Sequence, residues 1–252
     1  MILAIDCGNT RAKWGLNYGG GQHGIQRHAD SASANAGWRA QGSAAVDQLE
    51  HLEPQWQALP QPHTIAIANV AGAAVRAALE RALSRFEAKP VWVQSRTSQC
   101  GVTNGYADPR QLGCDRWCAL IAARHAHPGA CLVVNAGTAT TVDMLASSGM
   151  FRGGVILPGP ELMKQSLAAR TAGLPLARGE FSAEPRNTAD AIETGCLLAQ
   201  LGAIERMYSS LEPGGICLLS GGAALKIAGR LGIPVRVMEN MVLEGLVRIA
   251  CA

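Results

Sequence analysis

Ile2-Leu3-Ala4-Ile5-Asp6-Cys7-Gly8-Asn9-Thr10, running on into Arg11-Ala12-Lys13-Trp14-Gly15-Leu16, is the stretch whose reading decides the fold. A short apolar run ends in one carboxylate, Asp6. A glycine, an amide and a hydroxyl follow, and a strand-like alternation then resumes. The pattern predicts a β-hairpin with a phosphate- and metal-binding turn. Gly8 lets the backbone approach an anion with no Cβ in the way. Asn9, Thr10 and the turn amides can donate hydrogen bonds, and Asp6 can hold a hydrated Mg²⁺, which keeps much of its water when it binds phosphates. Taken alone, the same residues also fit a structural hairpin with a polar turn.

The pattern recurs. Leu132-Val133-Val134 runs into Asn135-Ala136-Gly137-Thr138-Ala139-Thr140-Thr141-Val142-Asp143, again a strand, a polar residue, a glycine and a hydroxyl-rich return strand. Asn135 lies 129 residues after Asp6 in a chain of 252. This internal repeat predicts two similar halves, each presenting a glycine-hydroxyl turn to a shared cleft. The expected division is 1–117 and 118–252.

Composition is compatible. Hydrophobic residues make up 48% of the chain and aromatics only 4%, which suits tightly packed α/β layers. The net charge of +3 is spread along the chain, so no basic patch calls for nucleic acid or an anionic membrane surface. The eight cysteines form no C-x-x-C pair and no zinc spacing. Most sit in apolar runs and read as small hydrophobes. Cys114 and Cys118 lie one helical turn apart. Asp6 interrupts the first apolar run before a signal peptide could form. No apolar stretch reaches the ~18–20 residues of a membrane helix. The expectation is a soluble, cytoplasmic protein.

Gly19-Gly20-Gly21-Gln22-His23-Gly24 matches G-x-G-x-x-G, but no βαβ unit follows and the string reads as a turn. Residues 43–52 carry a weak helical pattern. Thr64 to Ala68 is a strand, Ala73 to Phe86 a helix, and Val91 to Val93 a strand, which implies a parallel sheet covered by helices. Pro109 is expected to open a helix through Ala123, with Asp115 and Arg116 in its early part. Phe151 to Pro158 reads as a strand, Glu161 to Ala169 as a helix, and Asn187 as the N-cap of a long helix to about Tyr208. Ile216 to Leu219 is a strand, after which Ser220-Gly221-Gly222 opens a helix able to receive a nucleotide phosphate or ribose. A final strand at 235–237 and a helix at 241–250 close the chain.

The ordered set D-C-G-N-T (6–10), L-G-C-D-R (112–116), N-A-G-T-A-T-T-V-D (135–143), G-G-V-I-L-P-G (153–159), N-T-A-D-A-I (187–192) and S-G-G-A (220–223) resembles the type III pantothenate kinases, also called the Bvg accessory factor family. The resemblance spans nearly the whole chain. It implies an actin-like ATPase fold of two duplicated ribonuclease-H-like halves, mixed sheets flanked by helices, working as a homodimer. It implies that Asp6, Gly8, Asn9, Thr10 and Lys13 form the first phosphate site, with Asp6 supporting Mg²⁺. Gly137, Thr138 and Thr140 would form the second, and Gly221 and Gly222 the adenosine side. Asp115 matches the general base on the pantothenate hydroxyl and Arg116 a substrate contact. Tyr106 and Gly113 would line the substrate pocket, and Thr188 would reach the partner's. A monovalent cation, K⁺ or NH₄⁺, is implied with Mg-ATP. Family members usually carry Asp where this chain has Asn135, a neutral ligand at the metal site. The competing readings are a non-catalytic regulatory protein on the same scaffold and a different actin-fold phosphotransferase, such as a sugar or acetate kinase.

Overall fold

The computed structural model describes residues 1–19, 37–174, 176 and 178–252; the glycine string after Gly19 lies outside them. The first hairpin forms as expected, from β1 (Ile2–Cys7) and β2 (Arg11–Asn17). β3 (Trp38–Ala45) then pairs with β2. This strand has no apolar alternation and was not expected. It is a half-exposed edge strand, and tertiary fit holds it in place. A side chain on Gly15 would strike the Trp38 ring at 2.5 Å, and one on Gly42 would strike Trp14. Of the weak helix expected over 43–52, residues 43–45 belong to β3 and Val46–His51 form a 3₁₀ turn, while α1 (Leu52–Gln57) forms where a connection was expected.

Next come β4 (Thr64–Asn69), α2 (Ala73–Ala82), β5 (Pro90–Trp92), the small hairpin of β6 (Ser98–Gln99) and β7 (Val102–Asn104), and α3 (Cys114–Ala126). α3 starts later than the sequence suggests. Pro109 opens only a 3₁₀ turn, capped by the Asp108 side chain, and Leu112 is extended at φ −74°, ψ 125°. Asp115 is therefore in the first turn of its helix.

The second set is β8 (Cys131–Ala136), β9 (Ala139–Leu145), β10 (Met150–Pro158), α4 (Pro160–Arg170), α5 (Thr188–Tyr208), β11 (Ile216–Ser220), α6 (Ala224–Ala228), β12 (Val235–Val237) and α7 (Met241–Ala250). Asn187 caps α5 by accepting from the Asp190 amide at 2.9 Å. The helix expected after Gly222 shrinks to the five residues of α6.

Two compact units result. One comprises Met1–Ala126 and Asn240–Ala252, the other His127–Glu239. The division expected after residue 117 falls inside α3, an unbroken helix, and the C-terminal helix returns to the first unit. The duplication is visible in the topology. In the first unit β1, β2 and β3 form an antiparallel meander, with β4 and β5 added parallel to β1, in the order β3-β2-β1-β4-β5. In the second, β8, β9 and β10 meander and β11 and β12 add in parallel, in the order β12-β11-β8-β9-β10. Each is a ribonuclease-H-like sheet.

In the first unit Leu3, Ile5, Ala12, Trp14 and Leu16 share a core with Leu52, Trp56, Val75 and Leu79. Strand alternation sends Asp6 and Lys13 to the opposite face, which α7 and α3 cover. The two helices cross closely at Gly245, where an added Cβ would lie 1.9 Å from the Cys118 carbonyl oxygen. Backbone cannot yield like a side-chain tip. Gly245→Ala is expected to cost about 2 kcal/mol, in the range of core overpacking, measured as a fall in the urea midpoint. In the second unit Leu132, Val134, Ala136 and Val142 pack against Leu197, Leu201 and Ile204 of α5.

Candidate active site

In the first unit the β1–β2 turn exposes Asn9 and Thr10. The Gly8 amide donates to the Arg11 carbonyl at 3.1 Å, and the Val46 amide donates to the Thr10 carbonyl at 3.0 Å. Asp6, next to last in β1, is half-buried and pairs in register with Lys13 on β2. Its carboxyl is pushed up to about 7, first by withdrawal from water and then by the Asp115 charge, while Lys13 pulls it down.

Asp115 is delivered by the bend before α3. Buried Ser95 donates from its hydroxyl to the Leu112 carbonyl at 2.7 Å and so pins the bend. The Asp115 Oδ1 accepts the Arg116 amide at 2.8 Å and lies 2.6 Å from where a Cβ on Gly113 would be. Arg116 is buried and donates from Nη1 to the Tyr106 hydroxyl at 3.2 Å, its guanidinium 5.7 Å from that ring's centroid. Thus Asp6, Lys13, Tyr106, Gly113, Asp115 and Arg116, expected from the sequence, form one constellation in one unit. Ser95 was missed, because nothing local marks a serine that braces a bend 17 residues later.

The cysteines here read as thiols kept protonated. Cys7 is pushed up to about 12 by burial first and the Asp6 charge next, and Cys114 to about 11 by burial and then Asp115. None of the eight cysteines is in a disulfide.

In the second unit the β8–β9 turn exposes Gly137 and Thr138, and the Gly137 amide donates to the Ala139 carbonyl at 3.0 Å. Asn135 is half-buried at the end of β8. Two glycines frame this turn. A Cβ on Gly159 would lie 2.1 Å from the Gly137 carbonyl oxygen, and one on Gly221 would lie 2.4 Å from that of Ala136. Gly221 also has φ +102°, a conformation open to glycine. The Ala223 amide donates to the Ala136 carbonyl at 3.0 Å, so the Gly221–Gly222 motif and the Gly137–Thr138 turn are brought together. Thr140 is not at the surface. It is fully buried on the α5 side of the sheet, and among the described residues its hydroxyl has no hydrogen-bond partner. Thr188 opens α5 and lines a cavity of about 620 Å³ with Pro158, Met163, Leu167, Ile192 and Cys196.

Among the described residues no group of three or more His, Cys, Asp or Glu side chains is placed to hold a metal ion. A cation at Asp6 would therefore draw its remaining ligands from water and phosphate oxygens, as Mg²⁺ commonly does. Among those residues also, no helix is long and apolar enough to cross a membrane.

Comparison with known proteins identifies the family. The chain is 48% identical to a type III pantothenate kinase of Aromatoleum aromaticum over 252 residues, covering 99% of this chain and 98% of that one. It is 47% identical to one from Azoarcus sp., covering 100% and 91%. A solved Baf family protein from Campylobacter jejuni superposes with a TM-score of 0.58 at 19% identity, covering 98% and 96%, a likeness of fold. The model of the type III pantothenate kinase family matches residues 2–210. The chain belongs to the type III pantothenate kinase family.

Proposed function

We propose that the chain transfers the γ-phosphoryl group of ATP to the hydroxyl of pantothenate, forming 4′-phosphopantothenate, the first step toward coenzyme A. The observation that carries this reading is the placement of Asp115 in the first turn of α3, oriented by the Arg116 amide and close enough to Asp6 to raise its pKa. Phosphoryl transfer asks a protein mainly for positioning and charge neutralisation, with a carboxylate to accept the hydroxyl proton. Asp115 is the general base in this reading. Arg116 and Tyr106 receive the pantothenate carboxylate end, and Gly113 keeps the wall beside Asp115 thin.

Two mutually repelling carboxylates fit a divalent cation, and Mg²⁺ when bound neutralises phosphate charge. Asp6 would hold it in the first unit, and in the second unit the Asn135 amide offers a neutral oxygen donor. The turns at Gly8–Thr10 and Gly137–Thr138 supply phosphate donors, with Lys13 adding positive charge. Buried Thr140 supports the second turn from beneath, and Gly221 and Gly222 adjoin it on the adenosine side. A monovalent cation, K⁺ or NH₄⁺, a homodimer in which Thr188 reaches the partner's pocket, and a cytoplasmic location complete the reading.

The test is purified protein with ATP, Mg²⁺, K⁺ and pantothenate, following phosphopantothenate. No product, with Asn135→Asp silent as well, would leave the non-catalytic reading in its place. If product forms, Gly113→Ala should lower kcat about 10²-fold by displacing the Asp115 carboxylate, since a misplacement near 1 Å can cost that much. The KM for ATP should stay unchanged in the same assay.

A further inference from the structure

A planar group from another element holds the Gly137–Thr138 turn. The Pro158–Gly159 peptide joins the end of β10 to the start of α4. On one side its N–H, the Gly159 amide, donates to the Thr138 carbonyl at 2.8 Å. On the other side its C=O, that of Pro158, accepts from Gln200 Nε2 at 3.0 Å. Gln200 lies in the interior of α5 with no exposed surface and also approaches the Met163 sulfur at 3.5 Å. A peptide group is rigid, so a donor that aims its C=O also aims its N–H. Polarising the carbonyl strengthens the bond the amide makes on the far side. Gly159 has no side chain, and a Cβ there would collide with the Gly137 carbonyl, so the peptide lies directly against the turn. The base of the corner is fixed separately. Lys164 of α4 and Glu193 of α5, both buried, meet at 2.7 Å.

We propose that Gln200 is a positioning residue for nucleotide phosphate, acting on the Gly137–Thr138 turn through the Pro158–Gly159 peptide. This rests on the reading of that turn as a phosphate site. Gln200 touches no substrate in this scheme. Its contribution is the orientation of one peptide plane, and hence of the turn that lies on it. A buried glutamine in an otherwise apolar helix face is costly unless its bonds are used, and here the Gln200 amide nitrogen donates to this corner.

The experiment is steady-state kinetics and equilibrium ADP binding on Gln200→Met, which keeps volume and removes the donor. Ile204→Ala, in the same helix and core, is the comparator. Gln200→Leu substitutes if the methionine variant is not recovered folded. Expected are a rise of about tenfold in KM for ATP and in Kd for ADP, the size of one lost hydrogen bond. The pantothenate KM should be unchanged and kcat within about twofold. Ile204→Ala should lower Tm and leave the ATP KM alone. An unchanged ATP KM in a folded Gln200 variant, or an equal rise in Ile204→Ala, overturns the proposal. Gly159→Ala separates it from the underlying reading, because it pushes on the turn directly. If Gly159→Ala raises the ATP KM and Gln200→Met does not, only the proposal fails. If neither changes it, the phosphate reading of the turn fails and takes the proposal with it.

Discussion

Asp115→Asn is expected to lower kcat by on the order of 10³-fold, the upper-middle of what a positioned proton acceptor contributes, with ATP KM close to the parent value. Asparagine keeps the shape of the side chain and can still accept the Arg116 amide bond at Oδ1. The turn before α3, braced by Ser95, is untouched. What disappears is the capacity to take a proton from the attacking hydroxyl. Measured together, kcat and Tm separate the two effects. Removing the Asp115 charge relieves its repulsion of Asp6, so the variant should be no less stable than the parent while losing turnover. A fully active variant would take Asp115 out of the chemistry.

Asp6→Asn is expected to lower kcat/KM for Mg-ATP by about 10²-fold or more, since it removes the one carboxylate at the first phosphate turn. Isothermal titration with Mg²⁺ and ADP should show weakened metal-dependent binding, a readout independent of turnover. Stability should move the other way. Burial first and then the Asp115 charge push the Asp6 carboxyl up to about 7 in the folded chain, above its ordinary value of 3.8. The folded state therefore holds this proton more tightly than the unfolded chain. Its contribution to stability is greatest below pH 4 and is lost as pH rises through about 7. Without added metal, Asp6→Asn should raise Tm at pH 8 and have little effect at pH 4. Equal shifts at both pH values would mean that Asp6 is not held in its neutral form by its surroundings. The same site thus trades stability for function, as sites built from crowded charges do.

Much of this was legible along the chain because the relevant physics is local. An apolar run that stops at a carboxylate and a glycine reports a strand and its turn within nine residues, and its repetition at Asn135 reported the duplication before any coordinate. Asn187 as a cap also depends on neighbours three residues away. The errors fall where distant partners decide. β3 looks like polar filler because an edge strand with one half-exposed face needs no apolar alternation, and Gly15 and Gly42 show their purpose only against Trp38 and Trp14. The late start of α3 depends on the extended Leu112 and on Ser95 bonding from afar. Thr140 lies two residues after the exposed Thr138, but strand alternation puts it on the buried face with Val142.

By itself, then, the sequence determined the two hairpins with their glycine-hydroxyl turns and the place of Asp115 and Arg116 early in a helix, since each follows from spacing along a strand or from one helical turn. Tertiary structure alone decided that Asp115 comes close enough to Asp6 to shift its pKa, that Tyr106 meets Arg116, and that a peptide of the β10–α4 corner lies between Gln200 and the second phosphate turn. Those relations depend on which distant backbones touch, and touching is set by the packing of whole sheets and helices rather than by any short stretch of chain.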